Sequence, residues 1–292
     1  MIVSNRKEKA GYYLFLAPAY IIFAVFIFWP VINSLYLSFF KYNMMTVKVA
    51  QFNGLNNYLM LLKDKVFITS IINTIYLVIG VIPFEMALGL VVALMISSSF
   101  SRFKTAYKVG YYVPYVSSMV AVSIIWTIIF NPTPNGIINT FLARFGMQPL
   151  GWISDSNLAL PTVMLLVIWK EIGYIMIIYL AGLASIPNEI YEAAKLDPIS
   201  TFKKFTHITL PLLKPTIVFL LITQVIASFQ VFTPINIMTG GGPGYSTMTI
   251  VNYLYKKGFE EYNMGIASAV AYVLFVMLLF LTVIQDKVSK SE

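Results

Sequence analysis

The chain has 292 residues, 59% hydrophobic and only 11% charged, against roughly a quarter charged in soluble chains, which excludes a soluble globular domain. It holds no cysteine and one histidine, His207, which excludes disulfides, thiol catalysis, cysteine-ligated metal and any metal or catalytic site built from several histidines. The formal net charge of +8 comes from basic residues scattered in loops beside apolar runs, a pattern that positive-inside orientation explains better than nucleic-acid binding.

A bilayer core of about 30 Å takes about 20 apolar helical residues to cross. Six runs meet that length, near 12–40, 68–97, 107–130, 159–184, 216–238 and 264–285. They predict an all-α, multi-pass membrane protein with six transmembrane helices in a single domain, 1–292, without an internal repeat. The first run is longer than a signal-peptide core, contains Pro30 and Asn33 and lacks a small-x-small cleavage site, so it reads as a retained anchor helix. With the N-terminus inside, twelve Lys and Arg residues fall on the cytoplasmic side (Arg6 to Lys290) and seven outside (Lys41 to Lys257). That bias predicts cytoplasmic N- and C-termini, and with them a cytoplasmic 185–215 segment.

In chain order, Pro18 and Pro30 predict bends in the first helix, and 41–67 an external loop. The second helix carries Pro83 and Glu85 near mid-span, then small residues that permit close packing. The third opens Y107-K-V-G-Y-Y-V-P-Y, where Pro114 frees a backbone carbonyl, tolerated where the site is buried or wet. An external loop over 131–158 holds a short amphipathic helix near 137–145. The fourth helix has Trp169, Lys170 and Glu171 at its middle. The fifth bears Thr223, Gln224, Ser228, Gln230, Thr233 and Asn236, with Gln224, Ser228 and Val231 on one face and Gln230 directed elsewhere. The glycines after Thr239 lack the Lys-Ser/Thr of a phosphate-cradling loop and read as a flexible external turn. The sixth helix is rich in small residues early and ends at Asp286-Lys287.

Between the fourth and fifth runs lies the longest polar stretch that is also helix-compatible, S185-I-P-N-E-I-Y-E-A-A-K-L-D-P-I-S-T-F-K-K-F-T-H-I-T-L-P-L-L-K-P. Asn188 suits the cap of a first short helix through Glu192, Ala193 and Ala194 to Lys195, and Asp197 the cap of a second, with Pro198 at its first position. Ile199, Phe202 and Phe205 share one face of the second helix and Lys203 and Lys204 lie on another. Leu210-Pro211 and Lys214-Pro215 are expected to stop it. A folded knob lined by small residues suggests a docking surface.

I190-Y-E-A-A-K-L-D with F202 and I208-T-L-P-L-L-K-P resembles the EAA loop of permease subunits of ABC importers. F28-W-P-V-I-N-S-L-Y-L-S-F, F52-N-G-L-N-N-Y, Y111-Y-V-P-Y, N131-P with N135-G, L180-A-G-L-A-S-I-P and T239-G-G-G-P narrow it to the carbohydrate-uptake, maltose-permease-like branch. The resemblance spans nearly the whole chain. It departs where Pro198 replaces the usual Gly, since proline cannot make the left-handed turn glycine allows. It implies a cytoplasmic coupling helix in which Glu192, Ala193, Ala194, Asp197 and Pro198 meet an ATPase subunit, with Glu192 the first candidate for coupling. It also implies two ATPase subunits carrying ATP and Mg, a second homologous permease, an extracytoplasmic solute-binding protein and a bacterial cytoplasmic membrane location. No cofactor is expected in this chain, which has no G-x-x-x-x-G-K-[ST] string for nucleotide.

By the same resemblance Tyr115, Met119, Trp169, Glu171, Tyr174, Gln224 and Ser228 occupy sugar-contacting positions. Sugars need hydrogen-bonding side chains together with aromatic or apolar faces, which Tyr115, Trp169, Tyr174 and Phe232 supply. The competing reading makes Gln224 and Ser228 glue between helices. Glu85, Lys170 and Glu171 sit near mid-membrane, where a charge costs about 2.5–3.5 kcal/mol on insertion scales, so they line a polar path or form an interhelical pair such as Lys170–Glu85. The function implied is a non-catalytic subunit of an ATP-driven, binding-protein-dependent importer for a sugar or oligosaccharide. The alternative is a self-sufficient secondary transporter or channel, which predicts an inverted repeat or broken-helix pair that the sequence does not display.

Overall fold

The computed structural model describes residues 6–98, 103–196 and 200–290. Five helices are long and apolar enough to cross a membrane. A sixth span is counted if Lys104–Val116 and Met119–Ile129, bent by 93° at their junction, form one crossing. The chain divides into two compact units, residues 1–64 with 254–275, and residues 65–253 with 276–292.

In the first unit, Arg6–Phe23 passes through a π-helical turn, Ala24–Phe28, into Trp29–Ser38. Pro30 explains the turn: it has no N–H to give to the carbonyl four residues back, and the ladder widens there. The expected external loop at 41–67 is instead partly strand. Phe40–Asn43 pairs antiparallel with Val47–Phe52, with a register shift between Lys41 and Asn43. Asn43 closes the hairpin, its Oδ1 accepting from the amides of Met45 (2.9 Å) and Thr46 (3.1 Å). Helix Asn56–Lys63 follows. Its buried Asn57 donates from Nδ2 to the carbonyls of Ser38 (2.8 Å) and Phe40 (2.9 Å), satisfying backbone groups at the helix-to-strand junction.

The second unit is built on Lys65–Ser97 and Ala159–Ala184. Leu77, Val81, Val163 and Leu166 form one core cluster with Ile235, and Ala93, Ile175, Met176 and Tyr179 a second with Leu220. Close approach depends on glycine at three levels. A Cβ on Gly89 would lie 2.5 Å from the Ile175 side chain, on Gly182 2.5 Å from Thr216 Oγ1, and on Gly173 2.0 Å from the Tyr111 carbonyl oxygen. The last neighbour is backbone and cannot rotate away. Gly173→Val is therefore expected to push Lys104–Val116 off its seat at a cost beyond the roughly 1–3 kcal/mol typical of overpacking. The check is the yield and melting temperature of the solubilised protein, which should fall sharply; a wild-type melting temperature would contradict this packing.

Two expectations about helix ends are corrected. The 216–238 run is not one helix: Lys214–Phe229 ends at Gln230 and Thr233–Met238 begins after Phe232. Nor do Pro211 and Pro215 stop the knob's second helix. Pro211 follows a π-helical turn, Phe205–Thr209, and both prolines sit at the first or second position of a new helical segment, where no N–H is required.

The glycine turn after Thr239 is also not loose. Gly240, Gly241 and Gly244 take positive φ (59°, 86° and 55°), and Asn73 Nδ2 pins the loop by donating to the carbonyls of Tyr245 and Met248, each at 3.0 Å. In 131–158 the amphipathic helix is Ile137–Ala143. Its buried Asn139 ties the loop together, donating to the Thr133 and Leu150 carbonyls and accepting from Leu150 N and Trp152 Nε1.

Candidate functional site

Both helix breaks of the second unit border one cavity of about 280 Å³. Lys65–Ser97 contributes Glu85, Met119–Ile129 contributes Met119, and Ala159–Ala184 contributes Val167 and Glu171. The Lys214–Phe229 helix adds Gln224, Ala227 and Ser228, and the interrupted stretch beyond it supplies Gln230 to Pro234. Residues separated by up to 149 positions thus converge because four packed helices turn one to three side chains each toward the same space.

The first break has an identifiable cause and an identifiable prop. Pro114 cannot donate to the turn before it, and the Lys104–Val116 helix ends two residues later. Ser117 and Ser118 are extended (ψ 148° and 123°) before the next helix starts at Met119. Such an end leaves carbonyls without intrahelical donors and carries the negative pole of the helix dipole. Buried Lys170 fills that role. Its Nζ donates to the carbonyls of Pro114 (2.9 Å) and Ser117 (2.9 Å), and to that of Tyr115. An ammonium has three N–H donors, and three carbonyls take them. Lys170 therefore neither pairs with Glu85 nor lines the cavity; it clasps the bent helix from the neighbouring one.

Of the sugar-contact candidates, Met119, Glu171, Gln224 and Ser228 lie on the cavity wall, as does Glu85. Tyr115, Trp169 and Tyr174 are not part of that wall. Tyr115 stacks on Tyr174 with ring centroids 5.0 Å apart, under the Lys170 ammonium at 5.6 Å, and Trp169 packs on Trp126. Gln230 lines the cavity against expectation, because helical periodicity stops at Phe229 and no longer sets its direction. Val231 and Phe232 line it as well.

Two wall groups have unmet hydrogen-bonding capacity. Glu85 is 1% exposed and Gln224 3% exposed, and neither Glu85 Oε1 nor Gln224 Nε2 has a hydrogen-bond partner among the described residues. Gln224 faces Glu171 on the same wall. Buried polar atoms are nearly always paired, so a lone acceptor and a lone donor on the same wall are suited to a polar guest.

The knob's first helix spans Asn188–Leu196. Glu192 and Ala193 are exposed, whereas Ala194 is buried within the chain, so only the first two stand on an accessible face. Tyr191 OH and Thr209 Oγ1, 3.2 Å apart, tie this helix to the segment that follows. Asp197, Pro198 and Ile199 lie outside the described residues. The next helix, Thr201–Lys204, is capped by Ser200, whose Oγ accepts from Lys203 N at 3.3 Å. Phe202 on it is 75% exposed.

Residues 85–291 match the family model described as binding-protein-dependent transport system inner membrane component. The chain belongs to that family. It is 33% identical to the lactose transport system permease protein LacF of Rhizobium radiobacter, over 98% of this chain and 97% of that one. It is 32% identical to the arabinooligosaccharides transport system permease protein AraP of Bacillus subtilis, over 98% and 90%. Among solved structures it resembles a chain of a bacterial ABC transporter involved in the import of the acidic polysaccharide alginate, with TM-score 0.86, 26% identity and coverage of 98% and 96%. It also resembles one from a bacterial alginate ABC transporter in complex with an alginate pentasaccharide-bound periplasmic protein, with TM-score 0.85 and 26% identity. Like the rest of this family, the permease is a non-catalytic multi-pass membrane subunit, and ATP hydrolysis belongs to a separate subunit.

Proposed function

We propose that this permease is a transmembrane subunit, acting as one domain over 1–292, of an ATP-driven, binding-protein-dependent importer for a sugar or oligosaccharide. The similarity over almost the full chain to permeases named for lactose and arabinooligosaccharides carries the reading, and the half-polar cavity at the two helix breaks gives it a place to act. The subunit crosses the bacterial plasma membrane six times, with the bent pair as one crossing and both termini cytoplasmic. A solute-binding protein delivers ligand from outside to the 41–67, 131–158 and 239–263 surface. Two ATPase subunits, holding ATP and Mg, grip the Asn188–Leu196 helix of this chain and the matching helix of a second permease. Their closure swings the helices between inward-open and outward-open forms. Met119, Glu171, Gln224 and Ser228 contact the sugar, with Glu85 beside them and Phe232 as an apolar face, while Tyr115, Trp169 and Tyr174 support the wall from behind.

One observation favours a second reading. The breaks at Ser117–Ser118 and at Gln230–Phe232 are of the kind a self-sufficient secondary transporter uses at its binding site. Uptake into proteoliposomes separates the two. The importer reading predicts uptake of labelled oligosaccharide only with ATP, the ATPase subunits and the binding protein all present. Gln224→Leu should lower that uptake about five- to tenfold, since one lost hydrogen bond to a ligand is worth about 1–1.5 kcal/mol. Equal uptake by this chain alone, driven by an ion gradient, would reverse the assignment.

A further inference from the structure

The relatives this permease resembles are named for uncharged saccharides in two cases and for an acidic polysaccharide in the structural one, so similarity leaves the charge of its own ligand open. The cavity does not. We infer that it selects uncharged, hydroxyl-rich saccharides and rejects acidic ones; this rests on the reading of the cavity as the saccharide site.

Three observations support this. The acidic residues on the wall are Glu85 and Glu171, and among the described residues the lining includes no lysine, arginine or histidine. Lys170, adjacent in sequence to Glu171, is withdrawn from the cavity, since its three N–H groups are spent on the carbonyls of Pro114, Tyr115 and Ser117. A uronate carboxylate entering here leaves water and meets no cation, which makes its burial unfavourable.

The third observation is the pair of unpartnered atoms, Glu85 Oε1 and Gln224 Nε2, each on a side chain more than nine-tenths buried. One is an acceptor and the other a donor. A sugar hydroxyl donates one hydrogen bond and accepts others, so neighbouring hydroxyls satisfy both atoms. The pair therefore suits a hydroxyl-bearing ligand, and the lack of a cation among the described lining residues is what disfavours an acidic one. Specificity of this type comes as much from the groups left unpaired by the wrong ligand as from contacts to the right one.

The test is equilibrium binding to the purified importer complex in lipid nanodiscs, without the solute-binding protein, so that only the transmembrane cavity selects. The probes are maltotriose and arabinotriose (uncharged), tri-galacturonate (acidic) and a glucosamine trimer (basic). At least one uncharged trisaccharide should bind about tenfold or more tightly than tri-galacturonate and more tightly than the basic trimer. In Glu85→Gln/Glu171→Gln the gap against tri-galacturonate should close by about tenfold. Wild-type complex that prefers tri-galacturonate or the glucosamine trimer would overturn the inference while leaving the saccharide site in place. Binding of none of the four would remove the site itself. The wild-type panel decides the matter even if the double variant fails to assemble.

Discussion

Replacing Lys170 with methionine should abolish transport, although Lys170 touches no part of the cavity wall. The substitution keeps the apolar stem and removes the ammonium, so three carbonyls at the break lose it together, that of Pro114 keeping only the Ser117 amide at 3.3 Å. Each buried acceptor left unpaired costs about 1–3 kcal/mol, and several kcal/mol is enough to repopulate a bend whose alternative is a straighter helix. Met119, the first residue after the bend and part of the cavity wall, would move with it. Since about 1.4 kcal/mol is a factor of ten in an equilibrium, ATP-driven uptake should fall by about a hundredfold or more at matched protein levels. Lys170→Arg should not restore it, because a planar five-donor fork does not reproduce a compact three-donor cation. Near-normal uptake with unchanged substrate preference in Lys170→Met would show that the clasp is dispensable.

Glu192→Lys should be as severe, by a different route. The carboxylate is exposed on the Asn188–Leu196 helix, so the change leaves the fold of this chain intact. At an interface with a basic partner it replaces attraction with repulsion, and truncating one member of such a hydrogen-bonded charge pair alone costs about 2–5 kcal/mol. The expected result is a permease that accumulates normally in the membrane yet fails to co-purify with its ATPase subunits or to drive uptake. Normal assembly and normal transport-coupled ATP hydrolysis would remove Glu192 from the coupling role.

Much of this was legible in the sequence, and the gaps have physical causes. The spans were legible because lipid demands long apolar runs, and five of the six coincide with helical stretches long and apolar enough to cross a membrane. Pro114 marked a weak point in the third, but a proline does not specify a 93° turn; the extended serines after it and the ammonium beside it do. Lys170 was readable as a buried charge needing partners, yet its partners are backbone carbonyls, which every residue carries and no residue type signals. Gln230 faces the cavity against helical periodicity because the helix ends at Phe229, one residue before it. The broken helices were missed because Gln230-Val-Phe-Thr-Pro contains a helix stop that the surrounding hydrophobicity hides. The hairpin at Phe40–Phe52 fell in a stretch read only for polarity, although its alternating Val47-Lys-Val-Ala-Gln-Phe is strand-like. Glu85, Glu171, Gln224 and Ser228 stand out as polar side chains inside apolar runs, which need a reason to be there, whereas Met119 is singled out only by the family resemblance; all five line one cavity.

The proposed transport cycle turns on the Asn188–Leu196 helix being the cytoplasmic grip of an ATP-driven importer. The chain has no cysteine, so a single Ala193→Cys on the exposed face of that helix can be read without background. The account predicts that this thiol cross-links to an ATPase subunit, in a yield that changes with bound nucleotide, and stays unmodified by a membrane-impermeant maleimide added outside intact cells. Rapid labelling from outside, with no cross-link to a nucleotide-hydrolysing partner, would contradict it.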